Sequence, residues 1–301
     1  MRSVSRPGFS TVELIVAIVM AGVIATSLGT LLRRQQRFFT NAAIVVERRV
    51  ALRDATAILQ SELRGISPAG GDILAFSDSA LEIRTTIGGA IACDTLPAGG
   101  GVDLSPVRPA SLVPLASFAT SPQAGDIALV FDPGPSPRDG DDRWITSAVT
   151  STAPVSTACL TSPLPDAIAD AGASRLRLRL SGAALPSTVM PGAFVRVLRR
   201  VRYRLYRAGT GEWYLGYAES DGTAFGVVQP VSGPFASYSR RTEASGLALR
   251  YFDDTGTQLT FADDASRIAR VAVVARSLAG GGLSEAESTD SQAVTVRPRN
   301  R

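Results

Sequence analysis

The hydrophobic positions of this 301-residue chain fall into two regimes that meet near residue 65. From Phe9 to Leu32 the chain is apolar almost without interruption, FSTVELIVAIVMAGVIATSLGTLL, and its only charge is Glu13. A helix over that stretch is about 36 Å long, enough to cross the hydrocarbon of a bilayer. From residue 33 the pattern turns amphipathic. Val45, Leu52, Ala55, Ile58, Leu59 and Leu63 recur at helical spacing, while Glu47, Arg48, Arg49, Arg53 and Asp54 fill the other faces. Gly65 and Pro68 supply a stop. The spacing predicts one helix over 9–64, about 80 Å long, with a membrane-spanning half (9–32) and an amphipathic half (33–64) that packs onto a globular head. No Pro interrupts it, and Gly22 and Gly29 are the places where it can bend.

Beyond Gly65 the period changes from helical to alternating, in short runs divided by Gly, Pro, Asp and Ser. The runs predict strands at Leu81–Thr86, Ile127–Asp132, Trp144–Thr150, Arg175–Leu180, Phe194–Arg207, Glu212–Tyr217, Leu247–Phe252, Ile268–Arg276 and Ala293–Arg297. Turns follow at Ala208–Gly211, joining a hairpin, and at Asp253–Gly256. Thr95–Gly125 and Thr152–Ala173 read as long loops. The expected fold class is α+β: a long N-terminal helix packed on a large antiparallel β-rich head, residues 65–301.

Composition narrows the chemistry. The chain has 31 basic and 27 acidic residues, a formal charge of +4, and every basic side chain is Arg. With no His, histidine triads, histidine bases and histidine metal ligands are excluded. No phosphate loop, dinucleotide fingerprint or nucleophile elbow is present, although carboxylate pairs of the glycosidase kind stay open, since spacing in sequence does not report proximity. Two cysteines, Cys93 and Cys159, are too few for a cysteine-only zinc site. In an exported protein they predict one disulfide; the alternative is two separate buried thiols.

The start of the chain carries the sharpest signal. MRSVSRPG is short, polar and basic, and the small residue Gly8 precedes the apolar run instead of following it, unlike a secretory signal peptide. Glu13 is costly in a span, by roughly 2.5–3.5 kcal/mol at mid-membrane and less near an interface. Cleavage between Gly8 and Phe9 puts a positive amine four residues before it, on the same helical face. Gly8, Phe9, Glu13 and the apolar stretch together resemble the N-terminus of type IV prepilins. The resemblance implies a leader at 1–8, cleavage at Gly8–Phe9 by an inner-membrane prepilin peptidase that also N-methylates Phe9, and Glu13 pairing with the amine of an adjoining subunit. It further implies, as partners, other pilin or pseudopilin subunits and an inner-membrane assembly platform. The head is then periplasmic on a single-pass anchor before entering a filament, which is extracellular if it is a pilus. No cofactor or metal is implied. Within the family the LQSELRG helix end, the LRRVRYRLYRAGTGEWYL hairpin and the closing TVRPRN segment resemble J-type pseudopilins of type II secretion and equally W-type minor pilins of type IV pili, while the size of the head exceeds that of a typical J-type pseudopilin and fits the W-type better. Against the head-outside orientation, Arg33, Arg34 and Arg37 follow the span, where the positive-inside rule wants fewer.

Two clusters in the head are candidates for binding. Arg175, Arg177 and Arg179 alternate with leucines, and Arg196, Arg202 and Arg204 with Val195, Val201, Tyr203 and Leu205. Each set projects from one strand face. If the two strands share a sheet they form a basic stripe able to hold DNA phosphates or an acidic partner; otherwise they are solvated faces balanced by nearby acids. Arg199 breaks the second alternation and suggests a bulge there. The acids of DPGPSPRDGDD, Asp132, Asp139, Asp141 and Asp142, fit no EF-hand, and Arg138 and Arg143 stand ready to neutralise them.

Overall fold

The computed structural model describes residues 10–96, 100–105, 115–136, 139–156, 159, 173–182, 184–278 and 290–299. Gly8 and Phe9, the expected cleavage pair, lie outside them. A single helix, α1, runs without a break from Thr11 to Gly65, straight through Gly22 and Gly29. Ser10 caps it: its Oγ accepts from Val12 N–H at 3.3 Å, while the Glu13 carboxylate accepts from Ser10 N–H at 3.0 Å. The chain leaves the helix at Ile66, which is extended and precedes the Pro68 turn.

The helix divides by burial as its pattern predicts. Its apolar first part is long and apolar enough to cross a membrane, and no residue of that window is buried in the molecule. The head covers only the last four turns, where Ala51, Leu52, Ala55, Thr56, Leu59 and Leu63 are buried at intervals of three and four. Val45, expected on the packed face, lies before this region and is 40% exposed.

Among the described residues fourteen strands make the head: β1 (Ile73–Phe76), β2 (Ala80–Thr95), β3 (Gly101–Leu104), β4 (Ala116–Phe118), β5 (Ile127–Asp132), β6 (Arg143–Val155), β7 (Arg175–Leu180), β8 (Phe194–Arg207), β9 (Trp213–Glu219), β10 (Gln229–Phe235), β11 (Leu247–Phe252), β12 (Gln258–Leu259), β13 (Arg270–Arg276) and β14 (Ser291–Val296). Every pairing among them is antiparallel. All nine predicted strands are present. Within the expected 95–125 loop, Gly101–Leu104 and Ala116–Phe118 are strands, and Thr152–Val155 extends β6 into the other expected loop.

The pairings close a ring: β2 to β3, β3 to β7, β7 to β6, β6 to β5, β5 to β8, and β8 back to β2. This is a six-stranded barrel. Its interior is filled by Ile87, Ala92, Val102, Leu104, Val130, Leu178, Val197 and their neighbours, so it is a packed core and not a channel. The long strands β2 and β8 continue past the barrel and form a second layer with β1, β9 and β10. That layer, a four-stranded sheet ordered β12-β11-β13-β14, and the end of α1 share a separate core containing Leu59, Leu63, Ile83, Leu205, Phe235, Tyr251 and Val273. The edge strand β10 carries Pro230 and Pro234, which cannot donate to a further strand.

Two glycines permit this path. Gly88 sits where β2 passes β4; a Cβ there meets the Ser117 carbonyl oxygen at 2.2 Å. Gly125, at φ +91°, lies against Gly222, whose neighbour Asp221 presents its carbonyl oxygen 2.1 Å from where a Cβ would sit. The contact brings the loop before β5 against the loop after β9, and so sets Asp126 beside β8.

Cys93 and Cys159 form a disulfide, which ties the segment after β6 to β2 across 66 residues of sequence. Replacing both by Ser removes about 4 kcal/mol of chain-entropy stabilisation for a loop of that length. The expected readout is a lower urea midpoint for the double Ser variant than for the non-reduced wild type, and reduction of the wild type reproduces it.

Candidate functional site

At the start of α1 the sequence Ser10-Thr-Val-Glu13 is a capping box, a signal present in the residues themselves. The carboxylate closes on the chain's own first turn, where orphan N–H groups and the helix dipole favour a negative charge. Glu13 therefore has a local partner within its own chain, the Ser10 N–H.

The six candidate arginines do not form one stripe. Around the six-membered ring β7 and β8 are three strands apart in either direction, so their outer faces look away from each other. The alternation itself holds, with Leu178 and Leu180 in the barrel core. Arg177 is spent on Asp103, in a two-pronged pair at 2.6 and 2.7 Å. Arg175 is buried and donates to the Ala173 carbonyl at 3.2 Å. On β8, Arg202 and its neighbour Arg200 share Glu82, at 2.9 and 2.5 Å, and both lie over the Phe225 ring. Arg196 donates to Thr86 Oγ1 at 2.9 Å. Arg179 and Arg204 are exposed.

Arg199 corrects the expected bulge. It stays in phase with Val195, Val197, Val201, Tyr203 and Leu205 on the inner face of β8 and is itself 3% exposed. The register shift falls on the partner strand, between Thr86 and Gly88 of β2. Arg199 lies where β8 leaves the barrel core, which ends at Val197, and enters the helix-packed core, which begins at Val201. Here the second edge of β8 also changes partner from β5 to β9. Its guanidinium holds Asp126 through Nε and Nη2 at 2.8 and 2.9 Å, Glu219 at 2.8 Å and the Ser121 carbonyl at 2.9 Å. From Glu219 the polar seam continues to Tyr217, whose hydroxyl donates at 2.8 Å. Tyr217 stacks obliquely on Tyr203 at 5.2 Å, and Tyr203 lies near Glu62 of α1, which accepts from Thr85. A chain of polar groups thus separates two apolar cores and joins the helix to the barrel. The in-phase position of Arg199 was the available signal for it.

The far end of β5 closes the barrel in the same way. Asp132 faces inward, fully buried, and pairs with Arg143 at 2.9 Å; Asp141 accepts from Ser136 N–H at 2.9 Å. Residues 137–138, with Arg138, lie outside the described residues. Among the described residues no group of three or more His, Cys, Asp or Glu is placed to hold a metal ion.

These groups set a pH profile. With no His, no Lys and both cysteines bonded, no side chain titrates between the carboxylate and tyrosine ranges, so stability is expected to be flat from about pH 6 to 9. Burial, and then the nearby Glu62, raises the Tyr203 pKa; burial and then the Glu219 hydrogen bond raises Tyr217. Burial also raises the Tyr251 hydroxyl. Their folded values exceed the unfolded value near 10, so their contribution is complete below about pH 10 and falls as pH rises further, by up to about 1.4 kcal/mol per unit for each buried phenol. Conversely, hydrogen bonding to Thr188, a backbone N–H and Arg143 lowers the Asp132 pKa. That contribution is present above about pH 4 and is lost as pH falls through the folded value. Thermal unfolding across pH 3 to 11 checks the profile.

No protein-family model, no curated protein and no solved structure matches the chain.

Proposed function

We propose that this chain is a filament subunit of the type IV pilin kind, a minor pilin or pseudopilin, whose mechanism is assembly and not catalysis. One observation carries the reading. An unbroken helix leaves its apolar N-terminal part with none of its residues buried in the molecule, and that part has one charge, Glu13, in its first turn. Such a surface is costly in water and needs lipid or other helices of the same kind to cover it. In this account prepilin peptidase cuts between Gly8 and Phe9 and methylates the new amine. The helix then rests in the inner membrane with the head in the periplasm, and is drawn into a filament in which Glu13 meets the amine of a neighbour. The arrangement of the head supports this over a DNA-binding role, because Arg177, Arg199, Arg200 and Arg202 are already paired with Asp103, Asp126, Glu219 and Glu82.

A deletion strain scored together for surface pili, DNA uptake and protein secretion tests the proposal and separates its two branches. Loss of pili places the chain in a type IV pilus; loss of secretion alone places it in a type II pseudopilus. A strain with all three intact contradicts the filament role.

A further inference from the structure

We propose that Arg33, Arg34 and Arg37, with Phe38 and Phe39, form a collar that docks on the phosphate headgroups of anionic phospholipids at the end of the span nearer the head. This rests on the reading of the apolar stretch as a membrane span, and it goes beyond the filament role. The charge is uncompensated: no Asp or Glu occurs between Glu13 and Glu47, and Glu47 lies about 15 Å along the helix from Arg37. Among the described residues none of the three arginines makes an ion pair, whereas Arg49, further along the same helix, reaches Asp290 at 3.1 Å. At about 100° per residue, Arg33, Arg37 and Arg34 fall within roughly a 100° arc, so they present one cationic face.

Position favours a lipid occupant. The apolar run ends at Leu32, and residues 33–39 rise about 9 Å, comparable to the headgroup layer on one side of a bilayer. The head first buries the helix at Ala51, about 18 Å beyond Phe39, which leaves the collar clear of it. Phe38 and Phe39 stand edge to face at 5.9 Å and are 67% and 68% exposed. Aromatic rings flanking a span settle at the headgroup level, and arginine stems extend toward phosphate from there. The collar gives the arginines that oppose the positive-inside count a partner on the head side of the membrane.

The test uses the full chain in neutral detergent with equal amounts of phosphatidylglycerol and phosphatidylcholine, and measures retained lipid by native mass spectrometry. Phosphatidylglycerol is expected to be retained preferentially, less so as salt rises, with about a fivefold loss per arginine in the series to Arg33→Gln/Arg34→Gln/Arg37→Gln. The control Arg48→Gln/Arg53→Gln, further along the helix, leaves retention unchanged. Equal retention of both lipids by the wild type, or retention unaffected in the triple variant, overturns the collar. A triple variant that loses filaments while retaining lipid assigns the arginines to a neighbouring subunit and overturns it too. Release of the chain from bilayers by alkaline carbonate contradicts the span itself, whereas a chain that stays embedded without lipid preference contradicts only the collar.

Discussion

Arg199→Ala is expected to destabilise the head by about 3–5 kcal/mol, more than loss of any exposed arginine. The size follows from what remains behind. Asp126 has a side chain with 0% exposure, and its carboxylate would keep only the Gln123 N–H as a donor. Glu219, at 38% exposure, recovers most of its loss from water. The same change opens a void between the two cores, at the point where β8 changes partners, so barrel and helix-packed sheet lose their common support together. Pairing Arg199→Met with Asp126→Asn removes both charges and is expected to cost less than the sum of the single changes. Urea unfolding of the four variants in detergent checks this. Additive costs would mean that the pair is not coupled and that the seam is not what joins the cores.

Glu13→Val is expected to abolish assembly into filaments, and Glu13→Gln separates the two roles its position allows. The capping box accepts Glu or Gln at its third helical position, so Gln keeps the bond to Ser10 N–H and the helix start. It lacks the negative charge that a neighbour's amine requires. If charge pairing is the function, Gln fails in assembly nearly as completely as Val while the monomer stays folded and inserted. If Glu13 serves only its own helix, Gln assembles like the wild type. Sheared filaments quantified beside total membrane protein give the readout.

Much of the architecture was legible because local pattern and tertiary role agree. The helix end at Gly65 follows from a stop signal, and Leu52, Ala55, Leu59 and Leu63 are apolar at helical spacing because one face meets the head. β13, RVAVVAR, is an apolar run flanked by arginines, in which buried Val271, Val273 and Ala275 alternate with half-buried positions because one side is core. The elements that escaped are short or atypical. β1 and β3 have four residues each, and β10 contains two prolines and a glycine, a composition that reads as a loop but suits an edge. Barrel closure could not be read at all, since it depends on β2 and β8 pairing along their length while their other edges serve several partners in succession. The candidate site divides in the same way. Glu13 is visible as a charge in an apolar run. The opposite placement of the two arginine strands, and the acids that neutralise them, arise from contacts between residues such as Arg177 and Asp103 that are 74 apart in sequence.

The most direct test of the filament account is the mass of the mature N-terminus isolated from cells that produce the chain at its native level. The account predicts a polypeptide beginning at Phe9 and carrying one methyl group on its amine. A chain that begins at Met1, with the leader intact, contradicts it.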